Sequence, residues 1–130
     1  MEQRYLIDTN VLIDAQMGRF SRTATDFLAE VIDESFVISF VTFIEYLGYK
    51  DISFASEEFI SLAEVIEIDR QIIRFCIILR RNYKIKLPDA IIAATALARG
   101  LILITNNEKD FVSIQNLKVI NLHQFLDKKN

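Results

Sequence analysis

The sequence is poor in the residues that break or cross-link a polypeptide chain. Its 130 residues include 3 glycines, 1 proline and 1 cysteine. An all-β sandwich needs a turn about every 8–12 residues, so this shortage of turn-forming residues disfavours that class. The lone cysteine, Cys76, excludes an internal disulfide bond and a cysteine-based zinc site within one chain.

Long apolar runs, targeting signals and several catalytic motifs are also missing. No uninterrupted apolar run approaches the roughly 20 residues of a membrane-spanning helix. The first residues lack the basic start and apolar stretch of a signal peptide, so we expect a cytoplasmic protein without membrane contact. The absence of a glycine-rich phosphate loop argues against a nucleotide triphosphatase. The one histidine, His123, lies away from every motif described below, which disfavours a histidine base.

The composition is that of a folded protein whose charge is unevenly distributed. Apolar residues make up 52% of the chain and charged residues 25%, so we expect residues 1–130 to form a single domain. The formal net charge is −3. Residues 1–69 contain 4 basic and 14 acidic side chains, whereas residues 70–130 contain 11 basic and 4 acidic ones. A basic half beside an acidic half can form a surface for a polyanion.

Apolar segments of strand length alternate with amphipathic segments of helix length along the chain. Strands are predicted at residues 4–8, 36–39, 65–68, 101–104 and 118–121. Helices are predicted at residues 11–16, 22–33, 40–48, 56–63, 70–83 and 88–100, with a short helix within 105–111 and a terminal helix after residue 121. This alternation predicts an α/β fold: a single three-layer domain whose central parallel sheet of about five strands is flanked by helices.

Four carboxylates lie near the predicted carboxyl ends of strands, the edge where parallel sheets bind ligands. Asp8 closes the first strand, and Glu45 lies in the helix after the second. Asp89 is in the first turn of the helix at Pro88, and Asp110 follows the fourth strand. Converging carboxylates repel each other unless a cation lies between them, and Mg²⁺ and Mn²⁺ prefer such oxygen ligands. Two such ions can hydrolyse a phosphodiester bond.

Each of these acids also has a purely structural explanation. Asp8 can cap the following helix, and Glu45 can be a solvated helix residue. Asp89 can complement the partial positive charge of a helix N-terminus. Residues 105–108 match a helix capping box. The joint placement of four acids at four predicted strand ends favours a shared site.

Four motifs, in this order along the chain, resemble the PIN domain, and in particular its VapC-type toxin branch from bacterial and archaeal toxin–antitoxin pairs. They are residues 6–14 (LIDTNVLID), 39–45 (SFVTFIE), 87–96 (LPDAIIAATA) and 105–111 (TNNEKDF). The resemblance runs from about residue 5 to about residue 126, and its LPDAIIAA block is highly specific. It implies a central parallel sheet and ribonuclease activity that depends on Mg²⁺ or Mn²⁺.

The resemblance also implies roles for particular residues and partners. The catalytic and metal-binding site would be formed by Asp8, Glu45, Asp89 and Asp110. Supporting polar side chains would be Asn10, Thr42, Thr105 and Asn107, with Thr42 orienting Glu45 from one helical turn earlier. Glu108 departs from the family pattern and either substitutes for Asp110 or faces solvent. The implied partners are RNA, with tRNA as one candidate, and a cognate antitoxin protein.

The segment between residues 70 and 86 is basic and contains no acid. Its cationic side chains are Arg70, Arg74, Arg80, Arg81, Lys84 and Lys86. The first five fall within an arc of roughly 120° on a helix. Such an arc is either a solvated helix face or a surface that contacts RNA phosphates beside Asp89. An acidic metal site needs a basic approach of this kind, because its own field would repel RNA.

The segment at residues 40–49 is unusually aromatic. It contains Phe40, Phe43, Tyr46 and Tyr49. Core packing explains some of these side chains, and the excess predicts a homodimer whose remaining apolar groove accepts an antitoxin helix.

We therefore expect a metal-dependent endoribonuclease that hydrolyses RNA phosphodiester bonds as the toxin of a type II toxin–antitoxin pair. A PIN nuclease of RNA processing or decay would use the same site without an antitoxin. An α/β phosphohydrolase also uses an Asp after its first strand, but it needs a second carboxylate where this chain has Asn10. A phosphoryl-accepting signalling domain would need an acidic pair and a late lysine that are not evident. A non-enzymatic RNA-binding module would not need four acids.

Overall fold

The computed structural model describes residues 3–49 and 52–128, in which short strands alternate with helices. The strands are β1 (Tyr5–Ile7), β2 (Val37–Ser39), β3 (Glu64–Ile66), β4 (Ile102–Ile104) and β5 (Val119–Ile120). The helices are α1 (Thr9–Gln16), α2 (Arg22–Glu34), α3 (Phe40–Leu47), α4 (Phe54–Ser61), α5 (Arg70–Asn82), α6 (Leu87–Arg99) and α7 (Glu108–Phe111). A single 3-10 turn follows at Leu122–Gln124.

The first five helices begin at residues whose side chains accept a hydrogen bond from a free backbone amide. These capping residues are Asp8, Ser21, Ser39, Ser53 and Asp69. Such a cap contributes about 0.5–2 kcal/mol to helix stability. Helix α6 has Pro88 in its first turn instead, and it ends at Gly100, whose φ of +64° lies in the left-handed region that glycine adopts without strain.

The strand pairings are all parallel. Strand β4 lies between β1 and β5, with Leu6 opposite Leu103 and Ile104 opposite Ile120. Strand β2 pairs with β3. Strands β1 and β2 are neighbours, but within the described residues no ladder joins them. The prediction of one sheet of about five strands is therefore wrong: the strands form a three-stranded and a two-stranded sheet. Because each strand has two or three residues, a small separation between two neighbours removes their whole ladder.

The core confirms the predicted three-layer α/β arrangement. Consecutive strand residues point to opposite faces, so Leu6 and Leu103 lie in one apolar cluster, whereas Ile7 and Ile104 lie in another. Helices α5 and α6 supply side chains to the first cluster, and helices α1, α2 and α4 supply side chains to the second. Helices therefore cover both faces of the strands, and the carboxyl ends of the strands open towards one edge.

Several predicted boundaries and one predicted element are wrong. Helix α1 begins at Thr9, two residues earlier than predicted, because Asp8 caps it. Helix α4 begins at Phe54 because Ser53 caps it, and β3 begins at Glu64, whose amide donates to the Phe36 carbonyl. The predicted terminal helix is only the 3-10 turn. The tail beyond it bonds to the start of α2: Ser21 donates to the carbonyl of Phe125, and Asp127 accepts from the backbone of Thr23. These tail groups therefore do not form helix hydrogen bonds.

Among residues 3–49 and 52–128, the helices are too short and too polar for any of them to cross a bilayer.

Candidate functional site

Asp8 is the buried centre of a group of polar side chains at the carboxyl edge of the strands. It ends β1, and its side chain is about 4% exposed. Its Oδ1 accepts from the Thr9 amide at 2.8 Å, and its Oδ2 accepts from the Thr105 hydroxyl at 2.7 Å. Burial raises the pKa of Asp8, the two hydrogen bonds lower it, and the nearby charge of Glu45 raises it further; the net direction is upward. Asp8 is thus a helix cap that also lies at the centre of the candidate site.

Glu45 is held by a hydroxyl that the sequence did not single out. The Thr9 hydroxyl donates to Glu45 Oε1 at 2.6 Å. Thr42 was expected to orient Glu45 itself, but its buried hydroxyl lies 3.2 Å from that of Thr9. Because the single proton of Thr9 points to Glu45, Thr42 donates to Thr9. Thr42 therefore acts on Glu45 through Thr9.

Asp89 links the carboxylates electrostatically. It lies in the first turn of α6 and is partly buried. Its pKa is raised first by burial and then by the negative charges of Asp8, Asp110 and Glu45, while Lys86 lowers it. Each of the other three predicted acids therefore lies within interaction range of Asp89.

Asp110 comes from the short connection after β4. Its amide donates to the Asn107 carbonyl at 3.0 Å, and the Asn107 amide donates to the Thr105 hydroxyl at 3.1 Å. Phe111 is fully buried and holds α7 against the core. The Asp110 and Asn107 side chains are exposed, as is Asn10 in the first turn of α1.

Glu108 does not take the place of Asp110. Its carboxylate accepts from Gln124 at 3.0 Å, so it faces the C-terminal segment. The charge that raises the pKa of Asp89 is that of Asp110, not that of Glu108. The geometry therefore does not favour substitution of Glu108 for Asp110. Glu108 does not face solvent alone either, because it bonds to the Gln124 side chain.

The donor set suits a hard divalent cation. It consists of carboxylate and hydroxyl oxygens, the ligands that Mg²⁺ and Mn²⁺ prefer. As the side chains stand in residues 3–49 and 52–128, no three acidic, histidine or cysteine groups close around one point tightly enough to hold a metal. Three negative charges nevertheless act on the partly buried Asp89, and a cation between them would remove this repulsion.

The basic segment divides into different environments. Arg80 donates to the Ile85 carbonyl at 2.6 Å, so its guanidinium binds the chain itself. Lys86 lies close enough to Asp89 to lower its pKa. The other four cations, Arg70, Arg74, Arg81 and Lys84, are exposed. The three arginines share the surface of α5 with exposed apolar side chains, namely Ile73, Ile77 and Ile78.

Exposed apolar side chains also flank the carboxylates. Each of three such residues lies within two positions of a site acid, and their exposed fractions are 62% for Ile44, 53% for Leu87 and 64% for Val112. A separate apolar groove of about 440 Å³ runs between α1 and α3 and is lined by Ile13, Met17, Tyr46, Tyr49 and Ile52. The buried Tyr46 hydroxyl has no partner in the described part of the chain.

A second polar cluster, which the sequence did not predict, lies beside the site. Asp14 Oδ2 accepts from the Asn106 side chain at 2.7 Å and lies 2.8 Å from His123 Nε2. The expectation that His123 lies away from every motif is therefore wrong, because the last turn reaches back to the first motif. Nothing in the sequence signals this contact, since His123 and Asp14 are 109 positions apart.

Comparisons with known proteins agree with this fold. A family model described as the PIN domain matches residues 5–117. Among solved structures, a toxin–antitoxin complex from Klebsiella pneumoniae matches with 36% identity and a TM-score of 0.71, covering 90% of this chain and 96% of the other. VapBC2 from Rickettsia felis, bound to a promoter DNA fragment, has 23% identity and a TM-score of 0.75, covering 92% and 98%. No curated protein sequence matches the chain.

Proposed function

The chain belongs to the PIN-domain family, and on that premise we propose that it is a divalent-metal-dependent endoribonuclease that acts as the toxin of a toxin–antitoxin pair. PIN domains are nucleases. The observation that carries the proposal is the convergence of Asp8, Glu45 and Asp110 on the partly buried Asp89, whose pKa is raised by burial and by their charges. A fold without a cation at this site would have no reason to bring four carboxylates into range of one another.

Each carboxylate has a distinct part in this proposal. Asp8, Glu45 and Asp89 hold a first ion, and Asp110 completes the site or holds a second. When bound, Mg²⁺ or Mn²⁺ supplies an activated water and neutralises charge on the phosphate that is attacked. Thr105 fixes one oxygen of Asp8, and Thr9 fixes one oxygen of Glu45. These hydroxyls orient the carboxylates before the ion arrives.

The phosphates of RNA would approach along the basic side of the site. Lys86 is close enough to act on Asp89, and the exposed Arg74 and Arg81 of α5 continue the positive charge away from the site. This charge offsets the field of the acids, which would otherwise repel a polyanion. Arg80 is also exposed, and one of its guanidinium nitrogens donates to the Ile85 carbonyl.

The proposed protein partner is an antitoxin. The relative from Klebsiella pneumoniae, at 36% identity, is part of a toxin–antitoxin complex. The exposed Ile44, Leu87 and Val112 around the carboxylates are the kind of apolar rim that a protein partner covers. We also propose that the protein forms a homodimer, since the isoleucines of α5 form a further exposed apolar surface.

A PIN nuclease of RNA processing would share the acidic site and differ in having no antitoxin. A small antitoxin gene beside the gene for this chain would separate the two. An α/β phosphohydrolase fits less well, because Asn10 is an exposed amide where that chemistry needs a second carboxylate.

The test is cleavage of total RNA by the purified protein with Mg²⁺ or Mn²⁺, with new 5′ ends located by sequencing. Asp8→Asn is expected to abolish cleavage, because an amide cannot supply the charge of the ligand. Asp26→Asn on the exposed face of α2 is the matched control and should cleave as the wild type does. Cleavage at full rate in EDTA would overturn the proposal.

A further inference from the structure

The connection between β4 and α7 is tied to distant parts of the chain by side chains outside the carboxylate cluster. The Asn106 side chain donates to Asp14 Oδ2 at 2.7 Å, which joins the connection to α1. His123 Nε2 lies 2.8 Å from the same oxygen. One carboxylate oxygen thus joins three segments of the chain: α1, the β4–α7 connection and the last turn.

Asp14 is suited to this role because it is largely buried and remains an acceptor. Its side chain is 15% exposed. Burial acts to raise its pKa, but the hydrogen bonds and charges of His123 and Arg19 outweigh burial and hold the pKa below its usual value. The charged carboxylate can accept from Asn106 and His123 through one oxygen and from Arg19 through the other.

The last turn is itself a firm support. The rings of His123 and Phe20 pack with their centroids 4.6 Å apart. Two residues later, Phe125 packs on Phe27 at 5.2 Å, and its carbonyl accepts from Ser21. Helix α2 and the residue that caps it therefore hold the turn at Leu122–Gln124 in place. The turn then positions His123 against Asp14 Oδ2.

The connection itself carries two candidate site residues. On its inner side it is anchored by Thr105, which donates to Asp8, and by the buried Phe111. Between these anchors lie the exposed Asn107 and Asp110. Asn106 directly precedes Asn107, so its bond to Asp14 holds the outer side of the connection at the point where the site begins.

We propose that Asn106, Asp14 and His123 are positioning residues that fix the β4–α7 connection so that Asn107 and Asp110 face the metal site. The proposal rests on the proposed nuclease function for its catalytic consequence. The tie itself rests on the contacts alone. The residues that surround a metal ligand set its orientation, and their loss typically costs about 10–100-fold in metal affinity or activity.

The experiment exchanges the donor and the acceptor of the central hydrogen bond. Asn106→Asp puts two carboxylates against each other, and Asp14→Asn in the same chain restores an amide opposite a carboxylate with the donor reversed. Arg19→Gln is the matched control, because Arg19 contacts Asp14 and not the connection. Three quantities are measured: amide hydrogen exchange in residues 106–112, affinity for Mn²⁺ alone, and kcat and KM for RNA cleavage.

We expect Asn106→Asp to speed exchange in residues 106–112, weaken Mn²⁺ binding by about 10-fold or more and lower kcat more than it raises KM. The double variant should recover most of each change, and Arg19→Gln should leave exchange in residues 106–112 as in the wild type. An Asn106→Asp variant with unchanged exchange and Mn²⁺ affinity would overturn the proposal. So would a double variant that is as loose as Asn106→Asp.

Failure of the proposed function gives a different result. A wild type that neither binds Mn²⁺ nor cleaves RNA would refute the nuclease proposal. Hydrogen exchange in the Asn106→Asp and double variants would still decide whether the tie exists. The positioning role alone would be refuted by a different result. The wild type would be active, and amide hydrogen exchange in residues 106–112 would be the same in the wild type, in Asn106→Asp and in the double variant.

Discussion

At the scale of single residues, the acidic site is a place where the chain keeps an unfavourable arrangement. Asp89 is partly buried next to three other negative charges, and its raised pKa measures the free energy that this placement costs. In a sequence selected for stability alone, we would expect a neutral side chain in place of one of these acids. The arrangement is explained if a cation binds between them.

Removal of one charge should therefore stabilise the protein in the absence of metal. We expect Asp89→Asn to melt at a higher temperature than the wild type in EDTA, by about 3–5 °C, which corresponds to roughly 1 kcal/mol after solvent screening. Asp26→Asn on exposed α2 is the control and should not change the melting temperature. A lower melting temperature for Asp89→Asn would mean that Asp89 is not repelled by its neighbours.

The difference in melting temperature between Asp89→Asn and the wild type should grow as the pH rises. The pKa of Asp89 is 3.8 in an unperturbed chain and higher in the folded protein. Well below pH 3.8 the group is protonated in both states, so it does not distinguish them. As the pH rises through the folded pKa, the folded protein must ionise Asp89 against burial and repulsion, so its free energy of unfolding falls. Melts of wild type and Asp89→Asn in EDTA should therefore converge in acid and separate towards neutral pH.

Thr9 allows a test of how the carboxylates are held. Thr9→Val removes the hydroxyl that donates to Glu45 and leaves Thr42 without its acceptor. We expect a loss of about 1–3 kcal/mol in stability, because the buried Thr42 hydroxyl loses its partner, and a fall in RNA cleavage of about 10–100-fold. Thr9→Ser keeps the hydroxyl and should retain most of the activity. Equal activity of Thr9→Val and wild type would contradict this role.

The site acids could be predicted from the sequence, whereas the groups that hold them could not. Asp8 directly follows the apolar strand β1, and Asp110 lies in the short helix α7 that comes after β4. Strand ends of a parallel sheet share one edge, so local pattern suffices. The bonds from Thr9 to Glu45 and from Asn106 to Asp14 join residues 36 and 92 positions apart. Such contacts depend on how helices pack, and no local pattern encodes them.

At the scale of secondary-structure elements, α5 combines exposed arginines with exposed isoleucines. We expect Arg74→Glu with Arg81→Glu to weaken RNA binding and to reduce the dependence of log Kd on log salt by about 2, since each phosphate contact contributes a slope of roughly 0.9. The measurement is a salt titration of RNA binding with catalytically inactive Asp8→Asn protein. Arg22→Glu with Lys128→Glu changes the charge equally at exposed positions on α2 and in the C-terminal segment. Identical slopes for both pairs would mean that α5 is a solvated face.

The elements show where sequence patterns succeed and where tertiary contacts override them. The order of strands and helices follows from apolar periodicity, and the caps Ser21, Ser39 and Asp69 were recognisable locally. The predicted terminal helix fails because Ser21 and the backbone of Thr23 bond to the tail groups. The single five-stranded sheet fails because strands of two or three residues do not close the ladder between β1 and β2.

At the scale of the whole molecule, apolar surface remains on several sides of the fold. The α5 isoleucines, the groove between α1 and α3 and the rim of the carboxylate site are all exposed. A protein that exposes apolar surface of this kind is expected to associate with itself or with a partner. We predict a homodimer at micromolar concentration, to be measured by analytical ultracentrifugation. A single monomeric species across that range would contradict this prediction.

The central claim is that four carboxylates from distant parts of the chain form one site for divalent cations. The most direct test is calorimetric titration of the metal-free protein with Mn²⁺, with RNA cleavage measured at the same metal concentrations. The account predicts that the wild type and Asp26→Asn bind Mn²⁺ equally and cleave RNA as the ion binds, whereas Asp89→Asn binds it far more weakly and does not cleave. Equal Mn²⁺ affinity of Asp89→Asn and the wild type would contradict the account.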